Sequence, residues 1–229
     1  MTLTFCSWAL LDRATGEISG SPDFDVALTT TQSMIKSWIV ADFLRHHDPT
    51  AAELELGVAA IVDSDDNATE TLYLAAGADA SIARLIAACD LTETVATPGW
   101  WSMTAMSARD ACRMGLALLD GRAAGPQWTP FVLEQMRSVR GSCAEHDQHE
   151  TTGGGRWGII DGLPAPAGVA IKNGWTRMSD GEWDVNCLAL HEKWVLAILM
   201  GYPAGLPLQL AADHARTLTA ALHAAGRLP

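Results

Sequence analysis

Three runs near the end of the chain restrict the fold more than any other feature. They are "GVAIKNGW" (residues 168–175), "EWDVNCLALH" (182–191) and "KWVLAILMGY" (193–202). All are rich in β-branched and aromatic residues and are punctuated by short turns, so they read as three antiparallel strands. At the other end, "TFCSWALL" (4–11) and residues 16–19 read as a hairpin turning at "DRATGE". The stretch between them has helical patterning. One helix is expected from about Ser33 to His46, broken before Pro49, and a second from about Ala51 to Val62. Two short helices, "ATETLYLAAG" and "ASIARLIAAC", flank a stop at Gly77. "SARDACRMGLALLDG" is a capped helix, with Ser107 as N-cap and Asp110 at the capping-box position. "TPFVLEQMRSV" is another, with Pro130 early in it. A last helix runs from about Pro207 to Ala225. "LTETVATPGWWSMT" and the polar, Gly-rich residues 141–158 read as loops.

Two strands, a helical middle, three strands and a terminal helix define an α/β (α+β) chain. The first hairpin is expected to join the last three strands in a five-stranded antiparallel sheet, with a terminal helix against it and a helical lobe beside it. The 229 residues suffice for a sizeable core. No repeat or linker interrupts them. A single domain over 1–229 is expected, with a sheet lobe of about 1–32 and 159–229 and a helical lobe of about 33–158.

The formal net charge is -12 and no basic run exists to neutralise phosphates, which argues against a nucleic-acid partner. No stretch reaches the roughly 18 apolar residues of a membrane span. "MTLTFCSWALLDR" lacks a positive start and a cleavage site and reads as a strand, not a secretory signal. The chain as it stands reads as cytoplasmic, or as extracytoplasmic behind a removed leader. The five cysteines match no zinc-ribbon or redox spacing and are expected to be mostly buried and reduced. Cys143, His146 and His149 in "CAEHDQH" have spacings that could hold a metal, but in a polar loop, and no metal site is assigned. Gly153, Gly155 and Gly158 match G-x-G-x-x-G without a following helix, which argues against a dinucleotide site. No cofactor is implied.

Three short features carry chemistry. Ser33 and Lys36 lie three apart at a helix start, on one face, within reach of each other. Burial would lower the lysine pKa until its neutral amine could take the serine proton, and the helix N-terminus would favour negative charge at Ser33. On this motif alone, a capping serine and a snorkelling lysine explain the pattern more readily. "DSDDN" (63–67) is either an acidic helix cap or a loop presenting a second hydroxyl, Ser64. Lys172 precedes Asn173-Gly174. The next strand begins only near Trp183, so these residues fit a two-residue hairpin poorly and suit a strand edge along which a substrate could lie.

Taken together, Ser-x-x-Lys on a helix, a Ser-Asp loop and Lys-polar-Gly on a late strand resemble the constellation of the serine β-lactamase and penicillin-binding-protein superfamily. The resemblance covers nearly the whole chain and is closest in style to class A β-lactamases. It implies Ser33 as acylated nucleophile, Lys36 as general base and Ser64 as proton relay to the leaving nitrogen. Lys172 would supply positive charge for a substrate carboxylate and steady Ser64. Asp66 and Asn173-Gly174 would contact substrate, and the amides of Ser33 and Trp175 would form the oxyanion hole. The implied partner is a small-molecule or peptide-like substrate, for which a carboxylate facing Lys172 is one option.

Four departures qualify this. The chain between Ser33 and Ser64 is shorter than in class A enzymes. Asp66 replaces Asn and Asn173 replaces Thr or Ser. No helix precedes the first strand. The omega loop with its Glu-x-x-x-Asn segment is missing, and Glu93 stands nearby without that motif. An acyl-enzyme on Ser33 should then be long-lived or resolved by another acceptor, with poor β-lactam turnover. A catalytically weak or inactive protein that uses the fold to bind a ligand is the alternative. Asp66 should raise the pKa of Lys36, against the effect of burial. Trp100, Trp101 and Trp175 are expected in the cleft.

Overall fold

The computed structural model describes residues 3–143, 153 and 155–228. Strands β1 (Phe5–Asp12), β2 (Ile18–Gly20), β5 (Ala170–Arg177), β6 (Glu182–Leu190) and β7 (Trp194–Pro203) form one antiparallel sheet in the order β2-β1-β7-β6-β5. Strand β7 is therefore central, and all but its last residue is buried. Its continuous apolar run is what a strand covered on both faces requires. β3 (Leu28–Thr30) and β4 (Ala105–Ser107) form a separate two-stranded ladder, outside every strand expected from the sequence. Three-residue strands carry too few residues for a periodic signal.

Seven α-helices accompany these strands among the described residues: α1 (Lys36–His46), α2 (Ala51–Val62), α3 (Asp66–Ala75), α4 (Asp79–Ala88), α5 (Ala108–Leu119), α6 (Gly125–Arg137) and α7 (Gln209–Ala224). Helix α5 covers one sheet face. Its Gly115 lies so close to Leu188, Leu190 and Val195 that an added Cβ would come within 2.6 Å of two of them. On the alternate face, Cys187 meets Gly158 of a 3-10 turn (Gly158–Gly162), which is wedged against Ala215 of α7. Helix α1 is the spine of the helical part, with Lys36 to Leu44 all buried. Its one buried carboxylate, Asp42, is paired bidentately with Arg84 at 2.8 and 2.6 Å, which offsets the cost of removing it from water.

Two helix starts differ from expectation. Helix α6 begins at Gly125, with Pro126 in its first turn and Pro130 inside it. The Pro130 nitrogen would have faced the carbonyl of Pro126, so only one ladder hydrogen bond is lost, close to the helix start. Ser33 lies not in α1 but in a 3-10 turn, Gln32–Ile35, just before it. Ser107 caps α5 as expected, accepting from the Asp110 N–H at 3.1 Å. The Asp110 carboxylate is instead spent on Glu93 N–H and Thr94 Oγ1, both at 2.9 Å. Four of the five cysteines are buried, and none is paired. His146 and His149 lie outside the described residues; no cluster of metal-binding side chains occurs among those described. No single described helix is long and apolar enough to cross a membrane.

Candidate active site

The turn carrying Ser33 is held from three sides. Thr31 N–H donates to Thr104 O at 2.8 Å. Gln32 adopts a left-handed φ of 49° and its amide donates to Thr30 Oγ1 at 2.7 Å. Thr30 in turn donates through its hydroxyl and its N–H to Asp184 on β6. Edge strand β5 then presses on the turn. A Cβ at Gly174 would sit 2.6 Å from the nitrogens of Ser33 and Met34 and 2.7 Å from Thr31 O. Glycine is thus needed for close approach of two backbones. Gly174 is not an open substrate edge, as the sequence reading had it; it is buried against the turn.

Lys36 and Lys172 are both fully buried and converge on Ser64. Lys172 Nζ donates to Ser64 Oγ at 2.8 Å. Lys36 Nζ donates to Ser64 O at 2.5 Å and approaches Ser64 Oγ at 3.5 Å. Ser64 sits between α2 and α3 with φ of 57°, which turns its carbonyl and hydroxyl toward the two amines. Asp66, the first residue of α3, forms an ion pair with Lys36. Desolvation lowers the Lys36 pKa below its ordinary 10.5, and Asp66 offsets only part of this. Lys172 is held well below 10.5 by burial and by Lys36.

Ser33 is half-exposed, and among the described residues no hydrogen bond joins its hydroxyl to Lys36. The expected Ser33–Lys36 contact is thus not formed, because the Ser64 carbonyl and the Asp66 carboxylate capture the amine. Asn173 is also turned away from any ligand. It is buried, and its amide donates to Gly155 O at 2.8 Å and Trp157 O at 2.9 Å, pinning that segment to β5.

Ser33, Ser64, Asp66 and Trp175 line a cavity of about 620 Å³. Trp100 and Trp101 line it as expected, and so do Gln32, Glu70, Arg177 and Trp183, which sequence reasoning missed. Glu70 lies four residues after Asp66, a spacing that puts both on one helix face and was the signal available for it. The Trp101 ring covers Lys36, with Nζ 5.4 Å from the ring centroid, and its indole N–H donates to Glu70 Oε2 at 2.8 Å. Arg177 stacks over Trp183 at 4.8 Å. Glu93 does not line the cavity. Burial pushes its carboxyl up, but hydrogen bonds from Arg109, Thr92 and Ser107 outweigh that and hold it at about 2.

The fold has counterparts among solved structures. PBP-A matches over 100% of this chain and 92% of its own, at 14% identity and a TM-score of 0.71. A variant of the class A β-lactamase of the last common ancestor of Gram-negative bacteria matches over 97% and 92%, at 17% identity and 0.69. A β-lactamase from Sphaerobacter thermophilus matches over 98% and 92%, at 16% and 0.69. The fold is that of the serine β-lactamases and penicillin-binding proteins. No family model and no curated protein sequence matches the chain. Within this β-lactamase-like fold, the buried lysine–serine–lysine cluster lies where the helical part meets the edge strand β5, and Ser33 and Ser64 line the same cavity.

Proposed function

We propose that the protein is a serine hydrolase or acyltransferase that works on an amide, ester or β-lactam through an acyl-Ser33 intermediate. The observation that carries this reading is the Ser64 hydroxyl, held at 2.8 Å by the buried Lys172 amine and 3.5 Å from Lys36, beside an accessible Ser33 in one cavity. Ser33 Oγ attacks the carbonyl carbon and its proton passes by way of the Ser64 hydroxyl to the neutral amine of Lys36 or of Lys172. The tetrahedral oxyanion is stabilised by backbone amides at Ser33 and Trp175. Ser64 then delivers a proton to the departing nitrogen or oxygen, leaving an ester on Ser33. A substrate carboxylate faces Arg177, the one cation among the described lining residues, with Lys172 behind.

Hydrolysis of that ester needs an activated water. The lining carboxylates are Asp66 and Glu70, and both are engaged, by Lys36 and by Trp101. Slow deacylation and poor β-lactam turnover follow. A point variant of PBP-A has been solved as an acyl-enzyme with penicillin G, which makes a penicillin a sensible first probe. Incubation with a fluorescent penicillin and an activated ester, read by intact mass, should give one adduct that Ser33→Ala lacks. Absence of any adduct would end the acyl-serine reading. A second reading, reversible ligand binding without chemistry, is favoured by the Lys36–Asp66 pair, which keeps the amine from Ser33. It predicts saturable binding of the same probes with no mass change.

A further inference from the structure

The α3 wall of the cavity carries two carboxylates one helical turn apart, Asp66 and Glu70. Each has one oxygen engaged: Asp66 Oδ1 by Lys36, Glu70 Oε2 by the Trp101 indole. Neither carboxylate makes another hydrogen bond among the described residues, and both are exposed to the cavity. Beside them the 99–103 loop presents Trp100, 60% exposed although it is one of the largest apolar side chains. Like charges four apart on a helix repel. Asp66 is compensated by its place in the first turn of α3 and by Lys36. Glu70 lies beyond the first turn and gains nothing there. Two half-engaged carboxylates next to an exposed indole face suit an organic ammonium, which both the charge and the ring attract. An anionic or apolar group would desolvate the carboxylates without pairing them.

We propose that this wall selects substrates bearing an ammonium-type group, seated between Asp66, Glu70 and the Trp100 ring while the reacting carbonyl lies at Ser33. The position of the carbonyl rests on the acyl-serine reading; the cation seat does not. Arg177 on another wall makes the cavity polarised, so a substrate with positive and negative ends lies across it with the carbonyl between them.

The test has two arms. In the first, benzyltrimethylammonium and benzyl alcohol are titrated into the protein and followed by tryptophan emission. Wild type should bind the cation and not the alcohol, more weakly as salt is raised. Glu70→Gln keeps an oxygen for the Trp101 N–H and should weaken cation binding about five-fold; Trp100→Ala, at an exposed position, should weaken it about as much. Equal affinity for both probes, or unchanged affinity in Glu70→Gln, overturns the proposal. In the second arm, nitrophenyl esters whose acyl chains end in trimethylammonium or in an isosteric tert-butyl group are compared by intact mass. Wild type should acylate faster with the cation, and Glu70→Gln should narrow the ratio about five-fold. An unchanged ratio overturns the proposal. Cation binding without acylation by either ester would sustain the cation seat while overturning the acyl-serine reading.

Discussion

Ser64 and Gln32 occupy left-handed backbone positions with φ of 57° and 49°. For a residue with a Cβ this costs about 1–2 kcal/mol. Both are immediately at the two serines of the site, and the strain is held by contacts from three different elements. Ser64→Ala removes the hydroxyl that Lys172 holds, so acylation of Ser33 should slow about 100-fold, measured as adduct formation by intact mass. Asp66→Asn should act through pH. Asp66 raises the Lys36 pKa, so removing its charge lets burial act unopposed and lowers that pKa further. Acylation rises as Lys36 loses its proton, so its inflection should move to lower pH in Asp66→Asn. An inflection that stays put would show that Lys36 is not the base. As candidates, Ser33, Lys36, Ser64 and Lys172 were legible because residue type and order along the chain carry them. Glu70, Arg177 and Trp183 were not, because lining a cavity depends on how α3, β5 and β6 roll toward it.

At the scale of elements, the fold relies on glycines where two backbones meet. Gly162 docks its 3-10 turn on α7, and an added Cβ would lie 2.3 Å from Arg216 O and 2.7 Å from Thr219 Cβ. Backbone cannot yield as a flexible side chain can. Gly162→Ala should therefore destabilise the protein by about 1–3 kcal/mol in urea unfolding. Gly205→Ala is the matched control, with open space and no left-handed backbone, and should be neutral or stabilising by up to about 1 kcal/mol. Equal effects would refute the close-approach account. Gly174→Ala should be worse in function than in stability, since the atoms it meets include the Ser33 nitrogen. The α-helices and the five main strands were legible from period and turn chemistry. The displaced start of α1 and the β3–β4 ladder arise from tertiary contacts that override a local pattern, whereas α6 starts earlier with Pro126 in its first turn, a position that suits proline.

Across the whole molecule, two buried amines couple stability to pH. Lys172 has a native pKa well below 10.5, so between that depressed value and 10.5 the unfolded chain holds more protons than the native state. Stability from this source rises with pH across the window; the cost is fully present below it and gone above it. The buried thiols, raised above 9.0, pull the other way at alkaline pH. They are common to wild type and Lys172→Met, so the difference between the two curves isolates the lysine. Urea midpoints from pH 7 to 10 should rise more steeply, or fall less, in wild type than in Lys172→Met. Parallel curves would mean that Lys172 is not depressed.

The strand runs, the helical periods and the order Ser33, Lys36, Ser64, Lys172 needed nothing but the sequence, because they depend on neighbours in the chain and on residue chemistry. The tertiary structure alone decided what "SMIK" means. In isolation its serine and lysine face one another. In the fold, Ser64 arrives from the end of α2 and Asp66 from the start of α3, and both take the Lys36 amine that Ser33 was expected to hold. Burial then outweighs Asp66 in setting the Lys36 pKa. Those are long-range contacts in a desolvated site, and their balance depends on distance and burial, which a sequence does not contain.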